Sequence, residues 1–292
     1  MISERQLINP NTVPTGTVVV SVEVEATLEA VWRSLVEPAV VSRWFGELSA
    51  PLSQDGNARL SFGDGDFFEL KAISLDPPQL LRYDWRFQGT GPLDTINWHL
   101  QPDAKGCLVT VSDSEAGRTH EAAMMLREGW LDFTKRLVEF HATGESTRYD
   151  WRRELDVGIE IERPVEAVWH ALFAPEAQPL WLPFNTSLQS GTEAVVSDEA
   201  EPRALRLLDV EWQPCEQVVF KLSSEDWDQP TACKIELKDH LTGTLLNLSH
   251  NGWEEISHDQ AAQLQQRKRF CALWIDALKS SHQLIELPPG NT

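Results

Sequence analysis

Apolar and polar residues alternate strictly in two stretches of the chain, one near its beginning and one just past its middle. The apolar positions are Val18, Val20, Val22 and Val24 in the first stretch and Leu155, Val157, Ile159 and Ile161 in the second. Successive side chains of a strand point to opposite faces of a sheet. The period of two therefore predicts two strands, each with one buried face.

Each predicted strand is followed by a short helix. Residues 28–36 carry apolar side chains at helical spacing, Thr27 before them is a candidate N-cap, and Pro164 stands at the corresponding place in the second half. Pro38 and Pro175 end the two helices, because proline lacks the backbone N–H that a helix interior needs.

Further alternating segments then precede a long amphipathic helix in each half. In the first half these segments are 58–62, 67–73, 81–87, 95–100 and 108–112. The apolar stripes of the closing helices consist of Ala123, Leu126, Trp130, Phe133, Leu137 and Phe140, and of Leu264, Cys271, Trp274 and Leu278. Helices segregated from an antiparallel sheet define an α+β fold, so each long helix is expected to pack across the concave face of a curved sheet.

The two halves are copies of each other. Segment 22–35 reappears as 159–172, and nine of the 23 positions from 22 to 44 are identical at this offset of 137. Near the end of each copy the offset is 144, which relates Trp130 to Trp274. So long a period indicates duplication of a whole domain. The predicted organisation is a tail at 1–15, a domain at 16–144, a linker at 145–154, a second domain at 155–288 and a tail at 289–292.

The order of these motifs resembles a known family. The strand that runs into Glu-Ala-Val-Trp, the proline at the end of the first helix, the tryptophan after it and the tryptophan-bearing closing helix are similar to AHSA-type proteins, homologues of the activator of the heat-shock protein 90 ATPase. That family lies in the SRPBCC superfamily, together with START and Bet v 1 proteins. The resemblance implies two tandem helix-grip domains, each with a hydrophobic pocket between sheet and helix for lipids, polyketides or other apolar small molecules. It also implies a chaperone partner and a stress-response role as an alternative.

Charge narrows the choice of partners. The chain has 25 Lys and Arg against 45 Asp and Glu, a formal charge of −20. A surface this negative repels nucleic acid and anionic membranes, so neither is expected as a partner. The first fifteen residues carry no apolar signal segment, which favours a cytoplasmic protein. The four cysteines are far apart and predict small buried residues rather than a disulfide framework or a zinc site.

The sequence contains none of the common catalytic or cofactor motifs. It has no GxSxG, HExxH, P-loop or GxGxxG pattern. We therefore predict no catalytic residue, no metal ligand and no cofactor. Among acids and bases, only Tyr83 is placed on the inner face of the first sheet, and a cyclase- or hydrolase-like reaction would need such a group.

Large aromatic side chains are the best candidates for a binding site. Alternation places four of them on the inner face of the first sheet, opposite two on the long helix, and the resemblance places one more near the mouth of each pocket. The predicted ligand-binding residues are Trp44, Phe68, Tyr83, Trp85, Trp98, Trp130 and Phe133 in the first copy and Trp181, Phe220 and Trp274 in the second. Such rings can wall a pocket or simply fill a core.

The second copy has smaller side chains at several of these positions. Phe68, Trp85, Trp98 and Phe133 correspond to Leu205, Leu222, Ile235 and Ala277. The two copies are therefore not expected to share a specificity, and the second either is more fully packed or encloses a larger cavity. Its apolar segment 179–184 is either a lid or partner-binding patch, or buried packing against the sheet.

The leading hypothesis is non-catalytic binding of a small hydrophobic ligand, lipid-like or aromatic, with the first copy as the better site. A chaperone-cofactor or protein-interaction role is the alternative, and a cyclase- or hydrolase-like enzyme is the third.

Overall fold

The structure, a computed structural model, describes residues 16–196, 203–241 and 243–286. The predicted tails at 1–15 and 289–292 lie outside the described residues. The chain divides between Asp150 and Trp151 into two compact units, which are called the first and the second unit.

The first unit is a curved antiparallel sheet with two short helices and one long one. Its elements are β1 (Val18–Val24), α1 (Leu28–Val36), α2 (Pro38–Val41), β2 (Glu47–Leu48), β3 (Ala58–Ser61), β4 (Phe67–Asp76), β5 (Leu80–Phe87), β6 (Leu93–Asp103), β7 (Gly106–Glu115) and α3 (His120–Thr143). The strand order is β1-β7-β6-β5-β4-β3-β2. The chain thus runs from one edge of the sheet to the other and returns strand by strand to pair with β1.

The second unit repeats this arrangement with one strand fewer among the described residues. Its elements are β8 (Leu155–Ile161), α4 (Val165–Leu172), α5 (Gln178–Trp181), β9 (Glu193–Val196), β10 (Arg203–Gln213), β11 (Gln217–Ser223), β12 (Thr231–His240), β13 (Gly243–Asn251), a 3-10 turn (Trp253–Glu255) and α6 (Gln260–Glu286). The strand order is β8-β13-β12-β11-β10-β9. Both units are therefore α+β helix-grip folds, as predicted. None of the described helices is long and apolar enough to cross a membrane.

The predicted helix ends are confirmed. The Thr27 hydroxyl accepts a hydrogen bond from the Ala30 amide at 3.2 Å, and Pro164 precedes α4. The long helix α3 ends at Gly144, whose φ of 71° places it in the left-handed region that glycine adopts without strain.

Both sheets are bent at the same bulge. The register of β4 shifts between Lys71 and Ser74, and that of β10 shifts at the positions 137 residues later. Ala72 and Asp209 lie in these bulges with φ of 49° and 50°. A bulge increases local twist and bends its strand, so the duplicated bulge contributes to the curl of each sheet around its long helix.

Residues 145–150, six of the ten residues of the predicted linker, belong to the first unit and pack against it. The Thr147 amide donates to the Arg43 carbonyl at 2.9 Å, and Arg136 of α3 lies 3.6 Å from the centre of the Tyr149 ring. The Tyr149 hydroxyl also donates to Asp132 on the same helix. This part of the segment therefore lies along α3.

Candidate functional site

The interior of the first unit contains a series of nearly parallel rings. Phe68 stacks on Trp85 with 3.8 Å between ring centroids and 14° between planes. Trp85 in turn lies nearly parallel to Trp130 of α3, at 5.5 Å and 13°. Trp98 meets Trp130 edge-on at 5.4 Å, and its indole N–H donates to the Tyr83 hydroxyl at 3.0 Å. Phe133 of α3 lies 6.2 Å from Trp130 between ring centroids, so six of the predicted residues form one contiguous cluster between sheet and helix.

The rings of this cluster differ in exposure. Tyr83, Trp85, Trp98 and Trp130 are buried, whereas Phe68 and Phe133 are only half-buried. Phe62, which the sequence did not single out, is half-buried as well and lies 6.2 Å from Phe133 and 6.0 Å from Phe68. Phe62, Phe68 and Phe133 together are called the ring rim.

Trp44 and Trp181 anchor the short helices from within the core. The Trp44 indole donates to the Ser34 carbonyl and the Trp181 indole to the Leu172 carbonyl, both at 2.8 Å. Both tryptophans are fully buried. Trp44 meets Trp98 edge-on at 6.3 Å, so it belongs to the same core as the parallel rings.

A buried carboxylate lies beside the rings, on a sheet face for which the sequence predicts no carboxylate. Asp113 of β7 is 1% exposed, and its Oδ2 accepts a hydrogen bond from Trp130 Nε1 at 2.8 Å. Its Oδ1 pairs with Arg118 at 2.6 Å. Arg118 also pairs with Asp94 at 2.5 Å and with Glu115 at 3.0 Å. These four charged residues, Asp94, Asp113, Glu115 and Arg118, are called the acid cluster.

Burial raises the pKa values of Asp94 and Asp113. Desolvation and repulsion by Asp113 raise the pKa of Asp94 to about 8, although Arg118 opposes the shift. Desolvation also raises the pKa of Asp113, against the opposing effects of Arg118 and of the Trp130 N–H. Three carboxyls share one guanidinium, so the cluster holds a proton near neutral pH.

The expectation that only Tyr83 among acids and bases faces inward was wrong, and the alternation itself contained the signal. Asp113 has the same parity as the buried Val109 and Val111, and Asp94 has the same parity as Ile96 and Trp98. Burial of Tyr83 raises its pKa above the ordinary value, so its phenol stays neutral.

The second unit has a histidine at the place of Asp113. His250 lies 137 residues later and is fully buried, and the indole of Trp274 donates to its Nδ1 at 3.0 Å. Its Nε2 lies 2.7 Å from the hydroxyl of Thr231, which stands at the position of Asp94. Because Nδ1 accepts a hydrogen bond, Nε2 carries the proton and donates to Thr231. Burial lowers the pKa of His250 well below its ordinary value, so this polar group is neutral.

In the second unit the predicted residues Phe220 and Trp274 both contact Phe184. Phe184 contacts Phe220 at 6.3 Å and Trp274 at 5.7 Å between ring centroids. Of segment 179–184, Trp181, Leu182 and Phe184 are buried, which confirms the packing alternative for them, and Leu180 is exposed.

Two concavities lie away from the parallel rings. One of about 460 Å³ in the first unit is lined by residues of β1, β7 and α3, among them Glu23, Leu108 and Lys135, and by Lys105. The other, of about 600 Å³ in the second unit, opens along β10–β13 beside Asp209 and Lys221 and includes Phe220. Neither includes a predicted residue of the first unit.

Comparison with known proteins places the chain in a family. The family model described as Activator of Hsp90 ATPase homolog 1-like protein matches residues 25–142 and again 162–280. No curated protein matches the sequence. The crystal structure of DynU16, a protein of the dynemicin biosynthetic locus, is 31% identical, with a TM-score of 0.83 over 94% of this chain and 100% of that one.

Two more distant structures were also found. CalU16 from Micromonospora echinospora is 21% identical over 44% of this chain and 77% of its own, with a TM-score of 0.38. The di-domain ARO/CYC protein BexL of the BE-7585A biosynthetic pathway is 14% identical over 94% of this chain and 99% of its own, with a TM-score of 0.36. The two tandem matches to one family model cover most of the sequence, and the chain therefore belongs to the family of Activator of Hsp90 ATPase homolog 1-like proteins.

Proposed function

We propose that the first unit binds a flat, apolar small molecule, reversibly and without covalent chemistry, against the ring rim. The observation that carries this proposal is the series of parallel rings itself. It begins at half-buried Phe68, continues through Trp85 and ends at Trp130, whose indole is fixed by Asp113.

Half-buried rings at the border of a core favour a ligand of this shape. Phe62 meets Phe68 edge-on at 77°, and Phe133 meets Phe45 edge-on at 72°. A flat molecule that covers the remaining surface of these rings gains about 25 cal/mol for each Å² of apolar surface removed from water. Offset or edge-on ring pairs add roughly 0.5–1.5 kcal/mol each.

The buried part of the cluster supplies rigidity. Trp98, Tyr83, Trp130 and Asp113 are tied by indole hydrogen bonds to a phenol and a carboxylate. A ligand that stacks on Phe68 therefore meets rings already held in place, which lowers the entropic cost of binding.

The second unit lacks this arrangement and serves as an internal reference. Leu205 and Ala277 stand where the first unit has Phe68 and Phe133. Leu205 is buried, and Phe184 packs between Phe220 and Trp274. The proposal therefore concerns the first unit alone. The origin of DynU16 in a biosynthetic locus supports a small molecule as the partner, in preference to a chaperone.

The duplication provides the test. The double variant Phe68→Leu, Phe133→Ala gives the first unit the residues of the second at both positions. Binding of 2-naphthol and of palmitate is measured by calorimetry and native mass spectrometry, with circular dichroism to verify folding. We expect one naphthol per chain and at least a tenfold loss of affinity in the double variant.

The matched control removes a ring from the second unit. Phe220→Leu deletes a buried aromatic side chain and is expected to leave naphthol affinity within about threefold of wild type. The proposal fails if no naphthol binds, if palmitate binds at least as tightly as naphthol, or if the control variant weakens binding as much as the double variant does.

A further inference from the structure

The segment that follows α3, residues 145–149, bridges the two parts of the first unit that carry the ring rim. At one end the ring of Tyr149 meets the ring of Phe133 on α3 edge-on, with 5.8 Å between centroids and 86° between planes. Next to it the Arg148 guanidinium lies 3.1 Å from the place where a Cβ of Gly63 would stand, in the turn between β3 and β4. The segment therefore reaches from the helix to the turn across the border of the rim.

Polar contacts hold the backbone of this segment in place. The Thr147 carbonyl accepts a hydrogen bond from Nη1 of Arg136 at 2.7 Å, and the Thr147 hydroxyl donates to the Arg136 carbonyl at 2.9 Å. Arg148 pairs with Glu47 at the start of β2, at 2.8 Å. The segment is thus fixed on α3 and again at the edge of the sheet.

The ring of Tyr149 is held separately from the backbone. The Arg136 guanidinium lies 3.6 Å from the centre of this ring, a favourable cation–π contact, and the hydroxyl donates to Asp132. Tyr149 is 40% exposed, whereas Phe133 is half-buried. Tyr149 therefore covers part of Phe133 from the solvent side.

The second copy has lost two partners of this tyrosine together with the ring rim. At the offset of 144 that relates the long helices, Phe133 corresponds to Ala277 and Arg136 to Ser280. The ring and the cation that contact Tyr149 thus occur only in the copy that has the rim. This coincidence connects the tyrosine with the rim rather than with the common fold.

We propose that Tyr149 is an intramolecular occupant of the ring rim, which a flat ligand displaces when it binds. The inference rests on the proposed function and specifies how that site is regulated. Tyr149 makes with Phe133 the edge-on contact that an aromatic ligand would make there. The rim therefore has a closed state, with the tyrosine on it, and an open state, which accepts the ligand on Phe133.

Ligand binding is then coupled to the end of the first unit. Displacement of the ring breaks its contacts with Arg136 and Asp132 and releases the chain just before Trp151, the residue at which the second unit begins. The apparent affinity is lowered by the fraction of the protein in which the rim is closed. Removal of the Tyr149 ring should therefore tighten binding, whereas removal of an ordinary contact residue weakens it.

The affinity for 2-naphthol, measured by calorimetry, tests the sign of this effect. Tyr149→Ala is expected to bind naphthol about three- to tenfold more tightly than wild type. Tyr149→Phe keeps the ring and loses only the hydrogen bond to Asp132, so its affinity should rise about twofold. Trp212→Ala is the matched control, because it removes a ring of similar exposure, 37%, from the second unit, and it should bind naphthol as wild type does.

Fluorine NMR follows the tyrosine ring itself. The chain has two tyrosines, Tyr83 and Tyr149, so labelling with 3-fluorotyrosine gives one signal for each, and the Tyr149→Phe variant assigns them. The isotope shift of a signal between H2O and D2O increases with the exposure of its ring. With saturating naphthol, the isotope shift of Tyr149 should rise toward that of the unfolded protein, while that of the buried Tyr83 stays small.

The two proposals fail in different ways. Displacement is overturned, and the flat-molecule site left intact, if Tyr149→Ala binds naphthol no more tightly than wild type or if Trp212→Ala tightens binding as much. An isotope shift at Tyr149 that is unchanged or smaller with naphthol bound overturns it as well, because the ring then stays on the rim or covers the ligand. If neither wild type nor Tyr149→Ala binds naphthol, the proposed function itself falls.

Discussion

Asp113 and His250 stand at the same position in the two sheets, and each accepts a hydrogen bond from the tryptophan of its own long helix. The donor–acceptor distances are 2.8 Å from Trp130 Nε1 to Asp113 Oδ2 and 3.0 Å from Trp274 Nε1 to His250 Nδ1. The donor is the same in both units, and the acceptor is a carboxylate in one and an imidazole in the other. One unit therefore has an ionic polar centre and the other a neutral one.

Replacement of Trp130 is expected to cause a large loss of stability that is confined to the first unit. Trp130→Phe leaves Asp113 without its indole donor and opens a gap beside Trp85 and Trp98, which should lower the stability of the first unit by about 2–4 kcal/mol. Hydrogen exchange followed by mass spectrometry measures this as faster exchange in β5–β7, with β11–β13 unaffected. Trp212→Phe, which changes a tryptophan that is 37% exposed, should cost well under half of this. Equal loss in both variants would contradict the role assigned to Trp130.

Glycine in place of Ala72, in the bulge of the first sheet, is expected to stabilise the first unit. Ala72 is exposed and holds a φ of 49°, a conformation that costs an ordinary residue about 1–2 kcal/mol. Ala72→Gly removes this strain. Glycine also makes the unfolded chain more flexible, which lowers stability by roughly 0.5–1 kcal/mol. The free energy of unfolding is therefore expected to rise by about 0.5 kcal/mol. Ala272→Gly, at an exposed position inside α6, should instead cost about 1 kcal/mol. Urea unfolding measures both, and a loss of stability in Ala72→Gly would show that the bulge is not strained.

The fold could be predicted from the sequence because each of its features leaves a regular pattern along the chain. Alternation gives the strands, Thr27 and the prolines give the helix ends, and the offset of 137 gives the second unit. The aromatic rings could be predicted for the same reason. Tyr83 and Trp85 are two residues apart on one strand, so the alternation places both on the buried face of the sheet.

The acid cluster could not be assembled in this way. Asp113 and Asp94 interrupt apolar alternations at the ends of their strands, where a polar residue ordinarily marks the end of burial. Arg118, which holds both, lies in the turn before α3, and only the closed sheet brings it to β6. The pairing of Trp130 with Asp113 likewise depends on where the helix crosses the sheet.

Gly106 and Gly243 occupy equivalent positions in the two units, and substitution of either glycine is expected to lower the stability of its unit. A Cβ on Gly106 would meet the Val24 carbonyl oxygen, and one on Gly243 would meet the carbonyl oxygen of Ile161. Alanine at either position must displace the backbone of the neighbouring strand, which should cost about 2–4 kcal/mol in the unit concerned. Gly129→Ala is the control, because its Cβ meets nothing within 4 Å and helix propensity favours alanine by up to about 1 kcal/mol. Urea unfolding should show a lower free energy of unfolding than wild type for alanine at Gly106 or Gly243, and a higher one for Gly129→Ala.

The two polar centres predict opposite pH dependence for the two units. His250 has a folded pKa well below the value of about 6.5 that it takes when unfolded. Below pH 6.5 the unfolded chain therefore binds a proton that the folded unit does not, and the second unit should lose up to about 1.4 kcal/mol per pH unit as pH falls. Asp94 has a folded pKa of about 8. The folded first unit therefore holds a proton that the unfolded chain has released, and its stability should fall as pH rises from about 4 to 8.

Hydrogen exchange at pH 5.5 and pH 7.5, corrected for intrinsic rates, resolves the two units in one sample. Strands β12 and β13 should be better protected at pH 7.5, and β6 and β7 at pH 5.5. His250→Asn keeps an acceptor for Trp274 but cannot titrate, so it should remove the acid-side loss in the second unit alone. The exposed His99→Asn should leave both dependences unchanged. Identical pH profiles in the two units would refute the assignment of one ionic and one neutral centre.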